Sequence, residues 1–368
     1  MYSQNDLDEA VASGALSAEA ATSLRNFVEG QRALPGVDEE HFRLLTGFND
    51  IFVAIASAIL LFAVGWIGQS IGQSAGLTVD VEGPSPLAPL AVAGTAWALA
   101  LFFTAKRRMA LPSILLLLAF VGGVFAATAF GQAMIVGDPP NDREALYAGA
   151  IASIAGLIAA GAAYLHWRTF KVPITIAAGA LAASAIVVGI VVAAIGGEVD
   201  QARNLILTTV LLLGVGVFLF AMRWDSSDPQ RVTRRSDVAF WLHLLAAPMI
   251  VHPIFTLLGL NDGNASIGEG LVVVALYVAL GLVALAIDRR ALLVSALAYV
   301  LFALQALFRE FGAVELNVAL TALVIGSALL MLSAFWHQAR RTVVEKLPAS
   351  LQGKLPTLDR AVMAQPAA

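Results

Sequence analysis

Two histidines and two prolines share one apolar stretch, VAFWLHLLAAPMIVHPIFTLLGL, at residues 238–260. An imidazole changes charge near neutral pH and is a common metal ligand, so His243 and His252 are the side chains here best suited to proton or metal chemistry. Pro248 and Pro253 each remove a backbone donor and clash with the preceding turn. They predict a kinked helix whose freed carbonyls must find new partners. The histidines are nine residues apart. At helical spacing they face opposite ways, about 180° apart, which argues against a shared metal site. His252 alone has two readings, a proton acceptor or a neutral ring bonded to a backbone carbonyl. Gln305 and Asn317 map to the same half of the spans as His252 and complete a candidate solute or proton site.

Other chemistry is excluded more firmly. There are no cysteines, hence no thiol nucleophile, disulfide or cysteine metal site. The chain holds no HExxH, no GxSxG and no glycine-rich phosphate loop with its lysine. No acid lies near the centre of an apolar stretch, and no pair of buried carboxylates is expected. The expectation is a protein without catalytic residues, cofactor or metal.

The elements that must position these residues follow from composition. Of 368 residues, 59% are hydrophobic and 13% charged, against about 45–50% and about 25% in soluble domains. Mean hydropathy is +0.82. That excludes a soluble enzyme, a disordered chain and a nucleic-acid-binding domain. It leaves an all-α, polytopic transmembrane helix bundle in contact with the lipid bilayer. About 20 apolar residues cross a membrane, and ten stretches qualify: 51–71, 87–104, 112–134, 145–165, 173–195, 204–222, 238–260, 270–287, 291–308 and 316–336. With the N-terminus inside, Lys and Arg divide 19 inside to 3 outside, as the positive-inside rule requires. Ten spans with both ends cytoplasmic is the expected topology. Trp167, Trp224, Trp241 and Trp336 fall at inner helix ends, and Trp66 and Tyr147 at outer ends, where amphipathic rings settle. An alanine-rich, cysteine-free chain of this kind suits a bacterial cytoplasmic membrane.

Three segments result: 1–48, 49–337 and 338–368. The first reads as a small cytosolic helical hairpin, broken at Gly14 and restarted by a Ser17 cap. It then approaches the membrane through Phe42, Leu44, Leu45 and Phe48. Residues 1–34 are either a cap on the bundle or a dock for a protein partner. The last segment reads as a basic interfacial tail punctuated by Pro348 and Pro356. Inside the bundle, small residues recur at Ala148, Ala152, Gly156, Ala159, Ala160 and Ala163, and at Gly179 and Ala183. They predict close helix packing, with a dimer face as the alternative. AKRRMALPS at 105–113 aligns with AIDRRALLVS at 286–295, so spans 1–4 and 7–10 read as a weak repeat. Gln69, Gln73, Thr128, Gln132 and Thr256 either line an outward cavity or sit as ordinary helix-end polar residues. Asp237 and Asp288 read as solvated partners of Arg234, Arg235, Arg289 and Arg290.

The runs ASGALSAEAATSLRNFV and FRLLTGFNDIFVAIASAILLF at the N-terminal end resemble an uncharacterised bacterial multi-pass membrane family, domain of unknown function 2157. The resemblance implies a short helical segment ahead of membrane hairpins, and no substrate, reaction or site residue. Two functions remain: a transporter or permease-like protein handling an uncharged or apolar solute, and a non-enzymatic scaffold, assembly or lipid-binding accessory protein.

Overall fold

A computed structural model describes residues 10–24, 48–196, 203–229, 231, 233–259, 267–290, 293, 297, 301 and 317–358. The chain divides into two units, Met1–Leu45 with Asp359–Ala368, and Thr46–Leu358.

In the first unit the described residues form two short helical pieces, 10–12 and 18–24. Gly14 takes φ +74° between them, a conformation that costs glycine little. The amides of Gly14 and Leu16 close back on the carbonyls of Val11 and Ala10. Ser17 Oγ then accepts from the Ala20 amide at 3.1 Å, satisfying a donor at the helix start. The break and the cap fall where the sequence puts them.

In the second unit all described regular structure is helical. The helices are α1 (Phe48–Ser74), α2 (Leu87–Phe103), α3 (Ala110–Val136), α4 (Glu144–Phe170), α5 (Ile174–Ile195), α6 (Arg203–Ser226), α7 (Arg234–Leu257), α8 (Ile267–Ile287), α9 (Asn317–Ala334), α10 (Trp336–Glu345) and α11 (Ala349–Gln352). Six of them, α1 and α3 to α7, are long and apolar enough to cross a membrane. The chain is therefore read as a multi-pass helical membrane protein in contact with lipid. α2 and the Val274–Ile287 part of α8 are shorter apolar helices. The expected ninth span, 291–308, lies outside the described residues except at 293, 297 and 301.

Helix ends fall into two chemical sets. After α1, α3, α5 and α7 the left-handed position is glycine: Gly76, Gly137, Gly196 and Gly259. After α2, α4, α6 and α8 it is Arg108, Lys171, Arg231 and Asp288, with φ between 53° and 56°. A side chain in that conformation costs about 1–2 kcal/mol. At three of the four turns the residue is a cation, favourable beside the negative end of a helix.

Small residues set the helix spacing. A Cβ on Gly149 of α4 would strike the backbone of Gly189 and Ala193 of α5, and one on Gly156 would sit 2.9 Å from the Ala182 carbonyl. The close-packed face of α4 runs through Ala145, Gly149, Gly156, Ala159 and Ala163. Of the expected stripe, Gly156, Ala159 and Ala163 are on it, while Ala148 is exposed.

α7 is the most enclosed span. Some 56% of its apolar window is buried, against 17% for α1 and α6. Val238, Leu242, Ala246 and Met249 pack with Ala177 of α5 and Val217 and Ala221 of α6. Ala247 packs on the other side with Ala284, Leu285 and Ile287 of α8 and with Trp336, Val344 and Leu355. The described tail thus belongs to the packed bundle. The segment boundary expected at 337/338 falls inside α10, whose Trp336, Arg340 and Val344 form one buried stripe at four-residue spacing.

Candidate functional site: a buried ion network

Where α6 ends, α7 begins and α8 ends, charged side chains turn inward. Asp225, in the last turn of α6, is fully buried. Arg289 meets it with both arms of its fork: Nη2 donates to Oδ1 at 2.6 Å and Nε to Oδ2 at 3.3 Å. His243, one side of α7 and wholly buried, donates Nε2–H to the same Oδ2 at 3.0 Å. Arg289 Nη2 also donates to the Ser236 carbonyl at 3.1 Å. One carboxylate so joins three helix ends.

A second carboxylate lies one residue from Arg289. Asp288, at φ +56°, accepts from Arg231 Nη1 on Oδ2 at 3.0 Å and from Trp336 Nε1 on Oδ1 at 2.8 Å. Arg340 Nε is 3.7 Å from Oδ1. Arg340 in turn donates to the carbonyls of Pro356 and Thr357, at 2.6 and 3.2 Å. Arg231 Nη2 donates to the carbonyls of Ile287 and Asp288, both at 3.1 Å. A third acid, Asp228, is buried in the α6–α7 turn. Its Oδ2 accepts from the Thr233 amide and hydroxyl at 2.8 and 2.7 Å, and Thr233 caps α7 through the Arg235 amide.

Two buried carboxylates, Asp225 and Asp288, therefore face three guanidiniums, while Asp228 is held by Thr233. Removing such charges from water costs several kcal/mol per ion, and only close, bidentate geometry offsets it. These groups correct the sequence expectations. Asp288 and Arg289 are buried rather than solvated. They pair with Arg231 and Asp225 instead of with their neighbours. Buried carboxylates are present, and Trp336 is an interior hydrogen-bond donor rather than a headgroup anchor.

The expected solute-site residues are not gathered here. Only His243 belongs to the network. His252 is exposed, so the two rings do face different ways. Pro248 is exposed and Pro253 buried, both inside the continuous α7. Gln305 lies outside the described residues, as does the side chain of Asn317, the first residue of α9. Among the polar residues expected to line an outward cavity, Gln69 bridges the Gly83 carbonyl and the Ser85 amide. Thr128 and Gln132 bond within α3, at Val124 and Thr128, and Gln132 also reaches the Ile151 carbonyl. They hold helices and a loop together. Asp225, Asp228, Arg231 and Arg340 had no part in the expected site. The available signal was two acids three residues apart, directly after a span and before a basic turn.

A second buried histidine, His166 of α4, is structural in its surroundings. Its Nδ1 lies 3.2 Å from Thr175 Oγ1, its Nε2 has no partner, and Trp97, Phe120 and Phe170 enclose it. Losing both polar partners for apolar groups of similar shape is nearly neutral, whereas losing one strands the other. Thr175→Val should therefore destabilise by about 1–3 kcal/mol in detergent unfolding. His166→Phe with Thr175→Val should restore most of that loss. A double variant weaker than the single one would show that the His166 ring has a partner of its own.

No family model, curated protein or solved structure matches this chain. The class defined by fold and site is a multi-pass helical membrane protein with a buried ion network at one end of its helices.

Proposed function

We propose that the chain is a ten-span, permease-like protein of the bacterial cytoplasmic membrane, with both ends cytoplasmic and no catalytic role, that handles an uncharged or apolar solute. The observation that carries this reading is the Asp225–Arg289–His243 network. Ionisable groups buried in a membrane bundle are costly and mark functional positions by default. This network ties α6, α7 and α8 together at one end, as a closed inner gate would. The gate is the element a permease needs to keep solute from passing freely. The topology is supported by the cations at the turns after α2, α4 and α6, opposite the glycine turns. His252, Pro248, Pro253, Gln305 and Asn317 remain the candidate solute residues, and the resemblance to domain of unknown function 2157 is retained as part of the proposal.

A second reading, the scaffold, assembly or accessory protein, is favoured by one observation: Gln69, Thr128 and Gln132 satisfy protein groups rather than a cavity. Native mass spectrometry from mild detergent separates the two. A lone chain carrying a small uncharged molecule supports the permease. A stoichiometric second protein, lost on deleting residues 1–34, supports the accessory role.

The topology has its own test, made clean by the absence of cysteine. Asp138→Cys should react with a membrane-impermeant maleimide in intact cells, and Ala105→Cys only after permeabilisation. Labelling of Ala105→Cys in intact cells would overturn the N-inside arrangement.

A further inference from the structure

The charged turns divide into two kinds. Around α6 to α8 the buried guanidiniums have carboxylates against them. Among the described residues, the cations of the α2–α3 and α4–α5 turns have none. No Asp or Glu occurs between Glu82 and Asp138, or between Glu144 and Glu198. The α2–α3 turn exposes Lys106, Arg107 and Arg108, and the end of α4 exposes Arg168 and Lys171. The two turns are neighbours: Phe170, at the end of α4, packs against the buried cluster that holds Ala96 and Ala100 of α2, and its ring lies 5.1 Å from Trp97 of α2. The one described acid at this end of α1 to α5, Asp50, is buried. None of the five cations has a carboxylate within ion-pair distance among the described residues.

Their side chains are also arranged. Arg107 lies 5.5 Å from the Phe102 ring, Arg168 5.8 Å from Tyr164 and Lys171 5.3 Å from Trp167. Arg168 Nη1 donates to Tyr164 Oη at 3.0 Å. Phe102 and Tyr164 are themselves exposed on the outside of the bundle. Three of the five cations thus lie over aromatic rings at helix ends, the depth at which rings and headgroups meet. Arg108 and Lys171 hold the strained left-handed positions, so their backbones are fixed rather than loose.

We propose that this two-turn patch is a binding surface for anionic phospholipids, engaging their headgroup phosphates through Lys106, Arg107, Arg108, Arg168 and Lys171. The charge balance selects the occupant. Five uncompensated cations at headgroup depth face a dense layer of phosphate, and each is worth about 1 kcal/mol against an anionic surface. Guanidinium groups also match phosphate geometry with paired donors. The inference needs only that the helices span a bilayer. It is independent of the permease reading and of which leaflet is which.

The test is lipid retention. The full chain is reconstituted in nanodiscs of equal phosphatidylglycerol and phosphatidylcholine, then released and weighed by native mass spectrometry. The parent should keep phosphatidylglycerol in preference to phosphatidylcholine, and salt near 1 M should remove most of that preference by screening. Replacing all five cations with Gln should lower retained phosphatidylglycerol at least about tenfold. Arg234→Gln with Arg235→Gln, in the first turn of α7, should leave most of it. A parent without lipid preference, or a preference unmoved by salt, overturns the proposal even if the five-fold variant fails to insert. Equal loss in the Arg234 and Arg235 control also overturns it, since any basic turn would then serve.

Discussion

Arg289→Met should destabilise the bundle by about 3–5 kcal/mol, because it leaves Asp225 buried without its cation. The geometry sets the size of the effect. Asp225 is fully buried, and Arg289 supplies two of its three side-chain donors. His243 remains, but one imidazole N–H replaces neither the second arm of the fork nor its charge. Unfolding in graded detergent or by heat reads the loss. The double variant Asp225→Leu with Arg289→Met should recover most of it, since an apolar pair of similar volume replaces a buried ion pair at little cost. A residual deficit of about 1–3 kcal/mol is expected from His243 Nε2, stranded without an acceptor. Adding His243→Phe should remove that too. If the double variant is as unstable as Arg289→Met, the stabilisation comes from the Ser236 carbonyl and the Phe240 ring, which Arg289 also meets.

This network was the part of the molecule least legible in the sequence, and the reason is physical. Apolar length is a local property, so α1, α3, α4, α5, α6 and α7 each lie on an expected stretch. A cap needs only neighbours, so Ser17 and the reversal at Gly14 were also readable. Burial of a charge at a helix end depends on what leans over it. Asp225 lies three residues beyond the expected end of its span at 222. Its only local mark is a second acid three residues on, ahead of a basic turn, and a solvated headgroup-level pair would read the same. Its partner Arg289 is 64 residues away. The same holds for the small-residue face of α4. The expected stripe named Ala148, whereas the close approach of Gly189 falls on Gly149. His243 was singled out for its chemistry, but its acid lay outside the apolar run that drew attention to it.

The tail makes the same point with a larger consequence. As a sequence, residues 338–358 are basic, interrupted by proline and without an apolar run. In the structure they meet the end of α8, because Asp288 receives Trp336 and Arg340, and Arg340 holds the Pro356 and Thr357 carbonyls of the tail beside it. One aspartate at the end of α8 is thereby shared between the bundle and the tail. The Asp225 cluster and the Asp288 cluster are adjacent in sequence through Arg289. The tail is therefore joined through Asp288 to the end of α8, one residue from the Arg289 of the first network.

Asp288→Asn tests that joint, and it should raise trypsin cleavage at Lys346 and Lys354 by at least about a hundredfold. Asparagine tolerates the left-handed conformation that residue 288 adopts, so the backbone turn survives. It still offers a carbonyl oxygen to Trp336 Nε1. What it removes is the negative charge facing Arg231 and Arg340, both buried there. Stranding buried cations costs about 3–5 kcal/mol, and where reclosing is fast, cleavage follows the population of the open form. Trp336→Phe is the comparison. It keeps a ring against Arg290 and loses a single hydrogen bond to Asp288, so cleavage should rise only about tenfold. Cleavage at both lysines unchanged by Asp288→Asn would mean that Leu355, Val344 and the apolar cluster hold the tail without the charge. A rise as large in Trp336→Phe would assign the anchoring to packing of the indole instead. The expected order, with the charge removal far ahead of the ring truncation, would make Asp288 the electrostatic latch between the tail and the bundle.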